Sequence, residues 1–253
     1  MQITLLGTGT GLLNRERAPS GLLVQIGQHK LLFDSGSGTA GRLVAAGVEP
    51  TEPDFIYYTH LHTDHTADLV PLLQSFDLAR RERDLHLTAP SDFWSFLDGQ
   101  LALQPWVRPV RYEIVRHPAE TSPYSPTSSP EMVPGWTVST ARTYHSSYSL
   151  GYRLESGGKV MAYSGDAKDC PELVELGRGA DVLILECSYP DQLAHDDHLC
   201  PSQAGQIATR AGASHLVLTH LYPVCDAREI EAQARRVFGG RLTVAHDGWG
   251  LVV

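Results

Sequence analysis

Three features of the sequence predict an α/β (α+β) protein. Its opening part is a series of short apolar stretches separated by glycines, the punctuation of strands. Strand and helix patterns then alternate along the rest of the chain. Finally, Asp181-Val182-Leu183-Ile184-Leu185-Glu186 and His215-Leu216-Val217-Leu218-Thr219-His220 are nearly continuous apolar runs. Such runs mark strands buried on both faces, and hence the interior of a sandwich.

Taken in order, residues 2–6 form a strand that runs into Gly7-Thr8-Gly9-Thr10-Gly11, and Gly21–Ile26 and Lys30–Phe33 are strands around the turn Gly27-Gln28-His29. The glycine cluster has the look of a dinucleotide-binding loop, but Pro19 falls where the helix of that motif must continue. Asp34-Ser35-Gly36-Ser37-Gly38 closes a strand with a carboxylate, and Leu43–Gly47 ends a short helix. Leu69, Leu72, Leu73 and Phe76 share one helical face, with Pro71 tolerated in the first turn. Pro90-Ser91-Asp92 starts a helix through Phe93-Trp94-Ser95-Phe96-Leu97, whose aromatic cluster suits core or subunit contact. Residues 118–134, rich in Pro, Ser and Thr, lack the apolar content to pack and read as a mobile loop. Residues 146–159 read as a hairpin with a Ser-Gly-Gly turn. Pro201 opens a helix over Ser202–Ala211 behind Cys200, a weaker cap than Ser or Thr, and Asp226 with Glu229 caps a helix running to Phe238. Leu242–Ala245 and Leu251–Val253 are the last strands.

The 253 residues are expected to form one domain, 1–253, because turn punctuation is continuous and candidate ligands come from both halves. A hydrophobic content of 42% is ample for a core. No apolar run approaches the ~20 residues of a bilayer span, and Met1-Gln2-Ile3-Thr4 is not a signal-peptide start, so a soluble cytoplasmic protein is expected. Cys170, Cys187, Cys200 and Cys225 form no C-x-x-C pair, which excludes a zinc ribbon and a disulfide scaffold. A formal net charge of −9 argues against loose binding to nucleic acid backbones, although bound cations would reverse the field locally. Arg80, Arg81 and Arg83 form a basic patch with Arg108, Arg111 and Arg116 nearby in sequence; most such clusters are solvated faces, though this one could guide an RNA backbone.

The chemistry concentrates in His60-Leu61-His62-Thr63-Asp64-His65, after the apolar run Phe55-Ile56-Tyr57-Tyr58. On extended chain, residues i and i+2 point the same way, so His60 and His62 can close on one ion. Asp64 and His65 fall where the chain turns into a helix and can face a second. Imidazole and carboxylate suit borderline and hard cations. The bland alternative is a histidine-rich surface turn. Further candidates, His145, Asp166 and His220, lie at the ends of predicted strands, and Asp166 follows a glycine that lets backbone approach a site. A carboxylate with two oxygens can bridge two cations, and Asp166 is the candidate for that.

The ordered set Asp34, His60-x-His62-x-Asp64-His65, His145, Asp166 and His220 resembles the signature of the metallo-β-lactamase fold superfamily. Gly7-Thr8-Gly9, Leu31-Leu32-Phe33-Asp34-Ser35-Gly36, Ser164-Gly165-Asp166 and His198 followed by Leu218-Thr219-His220 most resemble its ribonuclease Z-like and small phosphodiesterase members. The resemblance implies a four-layer αββα sandwich of two mixed β-sheets flanked by helices. It implies that His60, His62 and His145 bind one ion, that Asp64, His65 and His220 bind another, and that Asp166 bridges them. Zinc is the first choice of metal, with manganese or iron as alternatives. Asp34 would orient a ligand histidine, and His246, in His246-Asp247-Gly248, is a candidate for similar support. Asp64 would also orient the attacking water, and His198 would donate a proton or contact phosphate. Related enzymes are commonly dimers.

One departure matters. Ribonuclease Z enzymes carry a long tRNA-gripping arm between the positions of His145 and Asp166, and the short hairpin here leaves no room for it. The expected activity is therefore a dinuclear metal-dependent phosphodiesterase on a small or cyclic phosphodiester. The alternatives are a ribonuclease Z-like endonuclease acting on an RNA end without the arm, a thioester, lactone or lactam hydrolase, and a non-enzymatic metal-binding module.

Overall fold

The computed structural model of the protein describes residues 1–119, 135–225 and 227–253. In chain order the elements are β1 (Gln2–Gly7), β2 (Gly21–Ile26), β3 (His29–Phe33), α1 (Thr39–Ala45), β4 (Phe55–Tyr57), α2 (Thr63–Thr66), α3 (Leu69–Leu78), β5 (Leu85–Pro90), α4 (Phe93–Leu103) and β6 (Ile114–Ala119). They continue with β7 (Trp136–Arg142), β8 (Leu150–Ser156), β9 (Lys159–Tyr163), α5 (Pro171–Leu176), β10 (Val182–Glu186), α6 (Pro201–Ala211), β11 (His215–Thr219), α7 (Ala227–Arg235), β12 (Arg241–Val244) and β13 (Gly250–Val252). By their contacts these residues fall into two compact units, Gln2–Ala119 with Asp247–Val252, and Glu120–His246 with the two terminal residues.

The first unit is built on a seven-stranded mixed sheet in the order β13-β1-β2-β3-β4-β5-β6. The pairs from β13 to β3 are antiparallel and those from β3 to β6 are parallel. Leu69, Leu72, Leu73 and Phe76 of α3 are buried together with Leu32, Ile56 and Leu87 of the sheet, so the apolar face read from the sequence is the face that packs. Phe93 is fully buried and stacks on Tyr58 with ring centroids 4.5 Å apart, a core role for the aromatic cluster of α4.

The glycine loop after β1 serves backbone packing. A Cβ on Gly7 would lie 1.8 Å from the carbonyl oxygen of Pro19, so only glycine lets the 17–19 segment cross there. Asp247 ties the crossing down by accepting hydrogen bonds from the backbone N–H of Thr8 (2.9 Å) and of Ala18 (2.7 Å).

Four arginines of the basic cluster read from the sequence pair with neighbouring carboxylates. Arg81 is only 6% exposed, donates to the carbonyls of Thr51, Pro53, Arg83 and Asp84, and covers the Phe76 ring at 4.8 Å. Arg83 pairs with Asp54, Arg111 with Asp77 and Arg116 with Asp98. Asp54, Asp77 and Asp98 thus offset part of the charge of the cluster, and Arg81 at its centre is structural.

The second unit is built on a six-stranded mixed sheet in the order β12-β11-β10-β9-β8-β7. Here β7-β8 and β8-β9 are antiparallel, and β9-β10, β10-β11 and β11-β12 are parallel. Every residue of β10 and β11 is buried, as their unbroken apolar character predicts. Helices α5, α6 and α7 supply Leu173, Ile207 and Ile230 to the same core. The β8-β9 hairpin turns at Gly157 and Gly158, as expected.

Several expectations are corrected. Pro118 and Ala119 end β6, paired with Ala89 and Pro90, instead of opening a loop; the strand lies at the sheet edge, where proline is tolerated. The rest of the 118–134 segment, and the Asp226 cap, lie outside the described residues. Helix α7 stops at Arg235, short of Phe238. Cys200 belongs to a complete capping box in which Gln203 Oε1 accepts from the Cys200 N–H at 2.9 Å, so the reciprocal bond makes good the weak thiol cap. Among the described residues no helix is long and apolar enough to cross a membrane.

Candidate metal centre

In the first unit the candidate ligands follow β4 and open α2. His60 is buried, His62 is the exposed residue preceding α2, and Asp64 and His65 lie in its first turn. The His60 ring centroid lies 4.6 Å from that of His62 and 4.2 Å from that of His65, and His65 Nε2 is 3.9 Å from Asp64 Oδ2. Asp34, fully buried at the end of β3, organises this group. It accepts from His65 Nδ1 at 2.8 Å and from the Thr59 hydroxyl at 2.9 Å, and that hydroxyl in turn accepts from His60 Nδ1 at 3.0 Å. One carboxylate therefore holds His65 directly and His60 through a hydroxyl. Asp34 sits at φ 58°, a left-handed conformation unusual for a side-chain-bearing residue, and strain of this kind concentrates at functional sites. Gly36 is required next to it, because a Cβ there would come within 2.1 Å of the Asp64 carbonyl oxygen.

In the second unit the candidates leave the ends of β7, β9, β10 and β11. His145 Nε2 lies 3.6 Å from Asp166 Oδ2, and His220 Nε2 lies 3.3 Å from the other oxygen, Asp166 Oδ1. The two oxygens of one buried carboxylate thus face two different imidazoles. His198 joins Asp166 and His220 in a cluster whose donor atoms lie within 4.8 Å of one another. Here Glu186, fully buried at the end of β10, is the organising carboxylate. It accepts from His198 Nδ1 at 3.0 Å and from the Ser188 hydroxyl at 2.6 Å, and that hydroxyl accepts from His220 Nδ1 at 3.0 Å. His145 Nδ1 donates to the Asp197 carbonyl at 2.9 Å. His220 adopts φ 56°, a second left-handed residue at a ligand position.

Both units therefore build the same device. In His60, His65, His145 and His220 the Nδ1 is committed to a fixed acceptor, which sets the tautomer and leaves Nε2 as the atom able to take a cation. This is how metal-binding imidazoles are held, and with Asp64 and Asp166 it provides a nitrogen and oxygen donor set that fits divalent metal.

Burial pulls the His198 pKa down, but the hydrogen bond and the charge of Glu186 outweigh it, so the imidazole is raised above its ordinary value and holds a proton more readily. The cysteines take no part. Burial pushes Cys170 up to about 12 and Cys187 well above the ordinary thiol range, so neither is a nucleophile near neutral pH.

The sequence reading passed over Thr59, Glu186, Ser188 and the Asp197 carbonyl. Glu186 did carry a signal, since a charged residue closing a wholly apolar strand has to find a buried partner. Hydroxyls and a backbone carbonyl carry none. His246 is exposed two residues beyond β12, and its neighbour Asp247 accepts hydrogen bonds from the backbone of Thr8 and Ala18.

Comparison with known proteins agrees with this chemistry. The family model described as a beta-lactamase superfamily domain matches residues 29–221. A curated relative, ribonuclease Z of Mycobacterium bovis, is 30% identical over 272 aligned residues that cover 98% of this chain and 96% of the relative. Among solved structures, the metallo-beta-lactamase fold protein YhfI from Bacillus subtilis aligns with a TM-score of 0.85 at 24% identity, over 99% of this chain and 98% of that one. The short form of human tRNase Z aligns at 0.82 and 23% identity, over 100% of this chain and 99% of that one. Two mixed sheets flanked by helices, donors at strand ends and relatives matched over nearly their full length lead to one conclusion: the chain belongs to the beta-lactamase superfamily, on its ribonuclease Z-like side, and is a metal-dependent hydrolase.

Proposed function

We propose that the protein is a dinuclear phosphodiesterase acting on a small or cyclic phosphodiester. The observation that carries the reading is the Asp166 carboxylate, with one oxygen toward His145 Nε2 and the other toward His220 Nε2, an arrangement suited to a ligand shared by two cations. In this reading the chain works as a single domain, and His60, His62 and His145 serve one ion while Asp64, His65 and His220 serve the other. The donors suit zinc first and accept manganese or iron. Two divalent ions held by these residues would supply a water ionised near neutral pH and would offset charge building up on phosphorus. Asp64 orients the attacking water. His198, oriented by Glu186, which also raises its proton affinity, delivers a proton to the departing oxygen or holds a phosphate oxygen.

The short β8-β9 hairpin supports a small substrate, because little chain lies between His145 and Asp166 to grip a large one. A second reading, a ribonuclease Z-like endonuclease acting on an RNA end, is favoured by curated relatives that carry that name. Free cysteines throughout suit a cytoplasmic setting, and a homodimer is the expected assembly.

Purified protein is expected to carry about two divalent ions per chain and to cleave bis-p-nitrophenyl phosphate in a reaction abolished by chelator and restored by metal. Assaying a 2′,3′-cyclic nucleotide beside a precursor tRNA separates the two readings. Turnover of a thioester or lactam with no phosphodiester cleavage would overturn both.

A further inference from the structure

Two tyrosines next to the His198 and His220 cluster have no part in the chemistry described above. Tyr189 follows β10 and Tyr222 follows β11. The two strands pair in parallel with Glu186 opposite Thr219, so the residues three positions further on, Tyr189 and Tyr222, emerge side by side. Their rings stack with centroids 4.6 Å apart and planes 15° from parallel. The segment is anchored by the Tyr222 N–H donating to the Ser188 carbonyl at 3.3 Å and by the Cys225 thiol donating to the same carbonyl at 3.2 Å. Ser188 is the hydroxyl that holds His220, so the pair is mounted on the framework that sets the ligands. The Tyr222 ring lies 6.4 Å from both the His198 and the His220 rings, and the Tyr189 ring lies 6.2 Å from that of His198. Both tyrosines are partly exposed, whereas Cys187, Ser188 and Leu221 around them are buried.

A pair that only sealed the strand ends would be buried like its neighbours. Instead the stacked pair stays partly exposed, with ring centroids 6.2 Å (Tyr189) and 6.4 Å (Tyr222) from that of His198, the histidine that meets the phosphate or departing oxygen in the proposed reaction. A nucleotide has this layout, with a flat base a short sugar away from its phosphate, and aromatic side chains bind bases through their faces whatever the base. We infer that Tyr189 and Tyr222 form a base-stacking platform and that the substrate is a nucleotide phosphodiester whose base extends the tyrosine stack. The inference rests on the phosphodiesterase reading and narrows it to nucleotides.

The test compares thymidine 5′-(p-nitrophenyl phosphate), which carries a base, with methyl p-nitrophenyl phosphate, which does not, on the metal-loaded enzyme. In the wild type the nucleotide ester is the better substrate. In Tyr222→Leu and Tyr189→Leu the ratio of kcat/KM for the nucleotide ester over the methyl ester is expected to fall about tenfold or more, mostly through KM, with metal content retained. Tyr222→Phe, which keeps an aromatic face, is expected to keep the ratio. An unchanged ratio in both leucine variants, or equal losses on both esters, overturns the platform and leaves the phosphodiesterase reading standing. Cleavage of neither ester by the wild type overturns that reading and the platform with it.

Discussion

Asp166 and His198 stand within one cluster but are held for different work. Asp166 faces the Nε2 atoms of two histidines whose Nδ1 atoms are already committed, the placement that the proposed ligand role requires. His198 likewise commits Nδ1, to Glu186, and the charge of that carboxylate raises its proton affinity. The two substitutions should therefore separate. Asp166→Ala is expected to lose bound metal and activity together. His198→Ala is expected to keep its metal, measured by elemental analysis, and to lose about 10²–10⁴-fold in kcat, the usual contribution of a positioned proton donor. Glu186→Gln touches His198 directly and His220 through Ser188, so it is expected to cost about 10–100-fold in rate and to weaken metal affinity by a similar factor. A His198→Ala protein with full activity on phosphodiesters removes its assigned role, and loss of metal in that variant makes it a ligand.

At the level of elements, Arg81 shows how a residue that looks functional in sequence becomes structural in the fold. Its guanidinium spends its donors on the carbonyls of Thr51, Pro53, Arg83 and Asp84 and on Asp54, and its flat face lies over Phe76. Arg81→Leu would leave several inward-facing carbonyls without their donor, at about 1–3 kcal/mol for each one buried. A loss of at least about 3 kcal/mol in urea unfolding is expected, with no change in substrate preference; a change in RNA affinity alone would reinstate the guiding role. The sequence showed three Arg symbols close together and no sign of which carbonyls the loop would turn toward them. Local periodicity, by contrast, was decisive where one face had to be buried. The apolar stripe of α3, the continuous runs of β10 and β11 and the Gly157-Gly158 turn were readable for that reason. The ligand candidates were readable because four potential donors crowd into residues 60–65, which lifted the lone residues His145, Asp166 and His220 above an ordinary structural reading. Thr59, Ser188 and the Asp197 carbonyl were not, since they matter only through partners far away in sequence, as with Thr59 and Asp34 or Ser188 and His220. The left-handed conformations of Asp34 and His220 were likewise invisible, because nothing in their side chains requires them.

For the molecule as a whole, one plan is used twice. Strands β1 to β6 and strands β7 to β12 each lie in sequence order, antiparallel first and parallel after. In each set a buried carboxylate at the end of a strand holds one histidine directly and another through a hydroxyl. Functional groups thus gather at the carboxyl ends of parallel strands, where the sheets leave backbone and side chains available. Away from those ends the histidines answer to stability, and His215 sets an expected pH dependence for the protein. It begins β11, is only 3% exposed, and its Nε2 lies 2.9 Å from the Thr243 hydroxyl. Burial, with a smaller push from the charge of Arg241, pulls its pKa down to about 4. In the unfolded chain the imidazole returns to about 6.5. Between those values the unfolded state binds the proton more tightly, so stability rises with pH across the window. The penalty is complete below about pH 4 and gone above about pH 6.5, and it is on the order of 3 kcal/mol. His215→Gln removes the titration and keeps a polar group for Thr243. The variant is expected to be less stable than the wild type at pH 7 and to close that gap as the pH is lowered toward 4, read from urea midpoints of the two proteins side by side. Parallel curves through the window would show that His215 is protonated in the folded protein.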